Sequence, residues 1–178
     1  MKVMLCELNP LLNFNTTTEV DLLDINLINA KDVTAPYDKL LVHKRDMTST
    51  LKENYQDDIL IRVLEERKGE EAYAREVVLV TKEAGLCVEY GAIEIYLNAV
   101  SEKVSAVILE GKIPLGEILN KHQVDYRSCP SQFFHLSADA KIASALGVDE
   151  ATELFGRCNQ LTRDSGEAIA NIVEIVRP

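Results

Sequence analysis

ILIRVLEERKGEEAYAREVVLV, residues 59–80, reads as two strands joined by a turn. Apolar residues dominate both arms, and the Lys68-Gly69 pair between them is a turn signal. Folding residues 59–66 onto 71–80 at that point pairs Glu66 with Glu71 and sets Arg62 directly opposite Arg75. Two guanidinium groups at roughly 5 Å and an effective dielectric of about 20 repel by roughly 3 kcal/mol. Such a pair calls for an anion to hold it.

The remaining segments support the same reading. Glu174, in the closing run AIANIVEIV, shares a face with Ala170, Ile172 and Val176, while Val173 and Ile175 point the other way. A carboxylate there has a raised pKa unless a cation or a donor stands close. Two accounts fit Arg62, Arg75 and Glu174. They form a self-contained buried Arg–Glu–Arg cluster, or one carboxylate leaves positive charge to spare and a small organic anion, a di-acid, completes the site.

Around this hairpin the chain reads as α+β with a mainly antiparallel sheet, in one domain spanning residues 1–178. Residues 1–56 are mainly helical and residues 57–178 form the sheet. Thr16 and Glu19 have capping-box spacing ahead of a helix over about 17–29. Pro36 precedes a second helical stretch with Leu40 and Leu41, and Asp46 caps a short helix through Met47 and Leu51. GLCVEYGAIEIYL (85–97) is a strand with a possible bulge at Gly91. A helix over 101–110 follows, then the loop GKIPLG with a short helix starting at Leu115. QFFHLS is a strand, ADAKIASALGV a helix stopping near Gly147, and ELFGRCNQLT a strand that returns through Asp164-Ser165-Gly166 into the last one.

Composition narrows the function. The chain has 178 residues, 47% of them apolar, and a formal charge of −10. That charge argues against a general nucleic-acid surface, and neither the length nor a basic patch leaves room for a winged-helix module. Cys6, Cys87, Cys129 and Cys158 form no CxxC pair and read as reduced, mostly buried thiols. His43, His122 and His135 show no metal spacing, so no metal or cofactor is expected. No run approaches the roughly 18 apolar residues of a membrane span, and a cytoplasmic location is expected. GKIPLG lacks the GxxxxGK[ST] pattern of a phosphate loop. Met47 and Leu115 read, by themselves, as core residues.

Taken together, LIRVL, AYAREVV, GKIPLG and VEIVRP, with DMTSTL ahead of them, resemble the chorismate pyruvate-lyase family, whose superfamily includes the effector-binding domains of GntR-type regulators. The resemblance covers roughly residues 37–178. It implies that Arg62 and Arg75 bind the carboxylates of a small-molecule substrate, that Glu174 lies beside a ring hydroxyl, and that Met47 and Leu115 line the pocket wall. The implied reaction is the cofactor-independent elimination of pyruvate from chorismate to give 4-hydroxybenzoate. The alternative is a non-catalytic module of the same fold that senses a small anion or aromatic acid.

Overall fold

The computed structural model describes residues 9–12, 14 and 25–177. Seven strands form one sheet: β1 (Asn26–Ile28), β2 (Ile59–Lys68), β3 (Ala72–Thr81), β4 (Cys87–Tyr96), β5 (Arg127–Ser137), β6 (Glu153–Thr162) and β7 (Ala168–Val176). Their order is β1-β5-β6-β7-β4-β3-β2, and every pairing is antiparallel. The described helices are α1 (Asn9–Leu12), α2 (Tyr37–Leu41), α3 (Met47–Tyr55), α4 (Glu102–Leu109), α5 (Leu115–Lys121) and α6 (Ala140–Leu146).

The helices begin where short polar side chains satisfy otherwise orphaned N–H groups. Asp46 accepts from the Ser49 N–H at 2.8 Å to start α3, Ser101 accepts from Val104 ahead of α4, and Asp139 accepts from Ile142 at 2.7 Å ahead of α6. Gly147, at φ 65°, ends α6 in the left-handed conformation that glycine adopts without a Cβ penalty.

Strand alternation then sorts the apolar residues onto two faces. On one face, α1 and α6 cover Val78, Tyr90, Ala92, Val173 and Ile175. The opposite face carries two clusters. Leu79 and Val176 pack with Leu40, Leu41, Met47 and Leu51 of α2 and α3, whereas Ile93, Ile95, Leu161 and Ala170 pack with Val104, Ile108, Leu115, Ile118 and Leu119 of α4 and α5.

Three sequence expectations change. The first concerns the register of the β2–β3 hairpin. Its loop is Gly69-Glu70-Glu71, with the Gly69 N–H donating to the Ala72 carbonyl at 2.9 Å, so Lys68 pairs with Tyr73 and Glu66 with Arg75. The expected fold placed like charges opposite each other at both Glu66/Glu71 and Arg62/Arg75; the observed one opposes a carboxylate to a guanidinium instead. A bulge between Val63 and Glu65 then moves the register by one residue, and Arg62 pairs with Val78. Without the bulge Arg62 would oppose Leu79 and share the face of Arg75; with it, Arg62 turns to the other face.

The second change is at Gly91. It opposes Val77 and Glu174 in unbroken register, and the irregularity in this pair of strands lies at Leu79/Val80. The third concerns the helix expected over 17–29. Most of it lies outside the described residues, and its last part, Asn26–Ile28, is strand β1, paired with Phe133, Phe134 and His135 of β5.

Candidate functional site

A cavity opens where the two apolar clusters part. Its floor is the sheet, with Ile61, Arg75, Val77, Leu79, Glu89, Gly91, Ile93, Asn159, Leu161, Ile172 and Glu174; its roof is the start of α3 (Asp46, Met47, Thr48) and the start of α5 (Pro114, Leu115, Gly116). The cavity is partly open, with a volume of about 60 Å³. Glycines at two positions make the room. A Cβ on Gly116 would stand 2.8 Å from Asp46 Oδ1, and one on Gly91 would stand 3.0 Å from Glu89 Oε1.

Arg75 is 1% exposed. Its Nη2 donates to the Ile113 carbonyl at 3.2 Å, while Nε and Nη1 have no hydrogen-bond partner. The guanidinium lies 5.8 Å from the centre of the Tyr73 ring, whose hydroxyl is committed to Glu66 at 2.6 Å. Burial, reinforced by that bond to Glu66, pushes the Tyr73 hydroxyl up to about 12, so it remains a donor. Burial also pulls Arg75 below its usual range, yet a guanidinium stays charged in proteins. Two buried, unpaired donors on a cation beside an apolar cavity are costly, and an anion would relieve that cost.

A second buried arginine, Arg157 on β6, does not line the cavity but pairs with a residue that does. It is fully buried and paired with Glu174, which stands opposite it on β7. Arg157 Nη1 also donates to the carbonyls of Leu41 at 2.8 Å and His43 at 3.1 Å, tying the segment after α2 to the sheet. His43 Nε2 lies 2.6 Å from the Leu40 carbonyl and its Nδ1 accepts from the Arg45 N–H at 3.2 Å, which fits a neutral ring. Burial and the nearby Arg157 charge lower its pKa in agreement with that state.

Two further polar groups face the cavity. Asn159 Nδ2 and Glu89 Oε2 are buried without partners. Burial, with the adjacent Glu174 charge, raises the Glu89 pKa well above the ordinary carboxylate range. With Glu89 neutral and Glu174 paired with Arg157, Arg75 and Asp46 are the remaining charges at the cavity.

The structure thus brings together Arg75, Glu174, Met47 and Leu115 at one cavity. Arg62 does not join them. It is exposed on the opposite face, its Nη2 3.4 Å from Cys87 Sγ, because of the bulge that follows it. Sequence reasoning missed Arg157, Glu89 and Asn159. The signal for the two charged residues was the one used for Arg75 and Glu174, a charge alternating with apolar residues inside a strand: Phe155, Arg157, Asn159 and Leu161 share one face, as do Glu89, Gly91 and Ile93. Cys129, expected among the buried thiols, is exposed, whereas Cys158 is buried. Among the described residues no cluster of His, Cys, Asp or Glu is placed to hold a metal ion, and no helix is long and apolar enough to cross a membrane.

The fold, a seven-stranded antiparallel α+β sheet, is similar to that of solved regulator domains, among them the effector domain of PhnF. PhnF from Mycobacterium smegmatis is similar at a TM-score of 0.57 and 14% identity over 74% of this chain, which spans 63% of the PhnF chain. The gene product SA0254 from Staphylococcus aureus is similar at a TM-score of 0.56 and 7% identity over 77% of this chain and 90% of that one. A ligand-binding domain assigned to a GntR-family transcriptional regulator from Bordetella bronchiseptica is similar at a TM-score of 0.51 and 14% identity, covering 67% of this chain and 85% of that one. At these identities the likeness is one of fold. No family model matches the chain, and no curated protein does.

Proposed function

We propose that this chain is a small-molecule sensing domain that binds an organic anion between the sheet and the starts of α3 and α5, with Arg75 as the anion's main partner. The observation that carries this reading is the pair of unpartnered donors on Arg75, buried and facing a cavity. Effector domains of transcription regulators share the fold, which supports sensing over turnover. A fold alone does not decide function.

Chorismate lysis is the second reading. It is favoured by Arg75 and Glu174 standing at one cavity, and it loses its two-arginine clamp because Arg62 lies on the other face. The cavity is also several times smaller than the roughly 300 Å³ or more typical of sites for larger organic ligands. Incubation with chorismate followed by chromatography is expected to yield no 4-hydroxybenzoate. Calorimetric titration with acetate, glycolate and inorganic phosphate is expected to give saturable binding of at least one of them, abolished in Arg75→Met. Formation of 4-hydroxybenzoate by the wild type, lost in the same variant, would reverse the order of the two readings.

A further inference from the structure

Glu89 is a buried carboxyl at this cavity with no ion pair among the described residues, whereas Asp46 is committed to capping α3. Arg157, the cation nearest to it in effect, is paired with Glu174. Glu89 is 4% exposed, and its Oε2 has no partner. On β4 it stands four residues from Ile93, the residue opposite Arg75, which at about 3.3 Å per residue puts it some 13 Å along the strand. Gly91 lies between them. Because Gly91 has no side chain, the Glu89 carboxyl folds back over it toward Arg75, with Oε1 where an alanine methyl at 91 would be crowded. The cavity therefore has a cation with spare donors at one end and a carboxyl at the other.

The groups around Glu89 set its charge. Glu174 on β7 disfavours a second negative charge, Arg157 on β6 is already neutralised by Glu174, Asp46 at the start of α3 is another carboxyl, and Arg75 on β3 faces it from the far end. His43, beside Arg157, is held neutral. We propose, resting on the anion-binding reading above, that Glu89 is a ligand-binding residue that presents its carboxyl proton to a carbonyl or hydroxyl oxygen of the ligand, so that the site selects small oxo- or hydroxy-carboxylate monoanions. A dianion such as a dicarboxylate would set a second negative charge beside Glu89 and Glu174. A zwitterion would require Glu89 to ionise next to Glu174. The burial-raised pKa of Glu89 agrees with the donor role.

The test is calorimetric titration of the wild type, Glu89→Ala, Glu89→Gln and Arg75→Met with glycolate, pyruvate, malonate and glycine between pH 5 and 9 at constant ionic strength. Glycolate or pyruvate is expected to bind the wild type at least tenfold more tightly than malonate or glycine. That affinity is expected to fall as pH rises through the ionisation of Glu89. Glu89→Gln, which keeps a donor and cannot ionise, is expected to flatten the pH profile, and Glu89→Ala to weaken binding at least tenfold. Tighter binding of malonate or glycine, or a pH profile that survives in Glu89→Gln, overturns the proposal. If the monoanions bind, Arg75→Met abolishes binding and the Glu89 variants behave as wild type, only the role of Glu89 falls. If none of the four probes binds, the role of Glu89 falls, and the anion-binding reading falls with it when acetate and inorganic phosphate also fail to bind.

Discussion

Two buried arginines stand on the same face of this sheet, and their surroundings give them opposite roles. Arg157 is compensated by Glu174 and by two backbone carbonyls. Removing it strands a buried carboxylate, so Arg157→Met is expected to destabilise the fold by about 3–5 kcal/mol in urea unfolding. Arg75 hydrogen-bonds the Ile113 carbonyl and faces Glu66 across the strand pair, with two donors left unpaired. Replacing it with an apolar side chain of similar length removes those buried unpaired donors, and Arg75→Met is expected to stabilise the ligand-free domain by about 1–3 kcal/mol. The pH dependence follows from Glu89. Its folded pKa lies above its unfolded value because of burial and the adjacent Glu174, so the folded state holds the extra proton. Stability on this account is complete below the unfolded carboxylate range and declines as pH rises from there toward the folded pKa. Unfolding curves from pH 4 to 8 check this, and Glu89→Gln is expected to remove that decline.

At the level of elements, the site depends on close approaches that side chains would block. A Cβ at Gly116 would meet Asp46 Oδ1, the atom that caps α3. Gly116→Ala is expected to displace the cap, costing about 1 kcal/mol, and to weaken anion binding because the methyl intrudes on the cavity roof, measurable by unfolding and titration of the same sample. Gly156 on β6 is tighter, since a Cβ there would lie 2.5 Å from the buried Phe134 ring and 2.7 Å from the Glu174 carbonyl. Gly156→Ala is expected to cost about 1–3 kcal/mol through overpacking between β5, β6 and β7. The capped helices were legible because Asp46 and Asp139 precede apolar spacing that only a helix satisfies. Alternation placed Glu174 with Ile172 and against Val173. The hairpin register was not legible, because parity within each strand is compatible with more than one turn position. The bulge after Val63, which turns Arg62 away, leaves no mark in the apolar pattern of ILIRVL.

For the whole molecule, the cavity lies where one cluster of helices ends and another begins on the same face of the sheet, so its contents bridge two packing units. The sequence carried the α+β class, as the antiparallel sheet shows, and Met47, Arg75, Leu115 and Glu174 of the residues it named line one cavity. Arg157 carried the same alternation of charge with apolar residues as Arg75, whereas Asn159, uncharged and bonded to Ser128 of β5, carried no such mark. A ligand held only by the folded state raises stability by about 2.7 kcal/mol at a hundredfold excess over its dissociation constant. The most direct measurement is thermal unfolding of the wild type and Arg75→Met against rising glycolate, with chloride holding ionic strength constant. The account predicts a midpoint that climbs with glycolate in the wild type, and a variant that starts more stable and does not respond. Equal responses in the two proteins would contradict it.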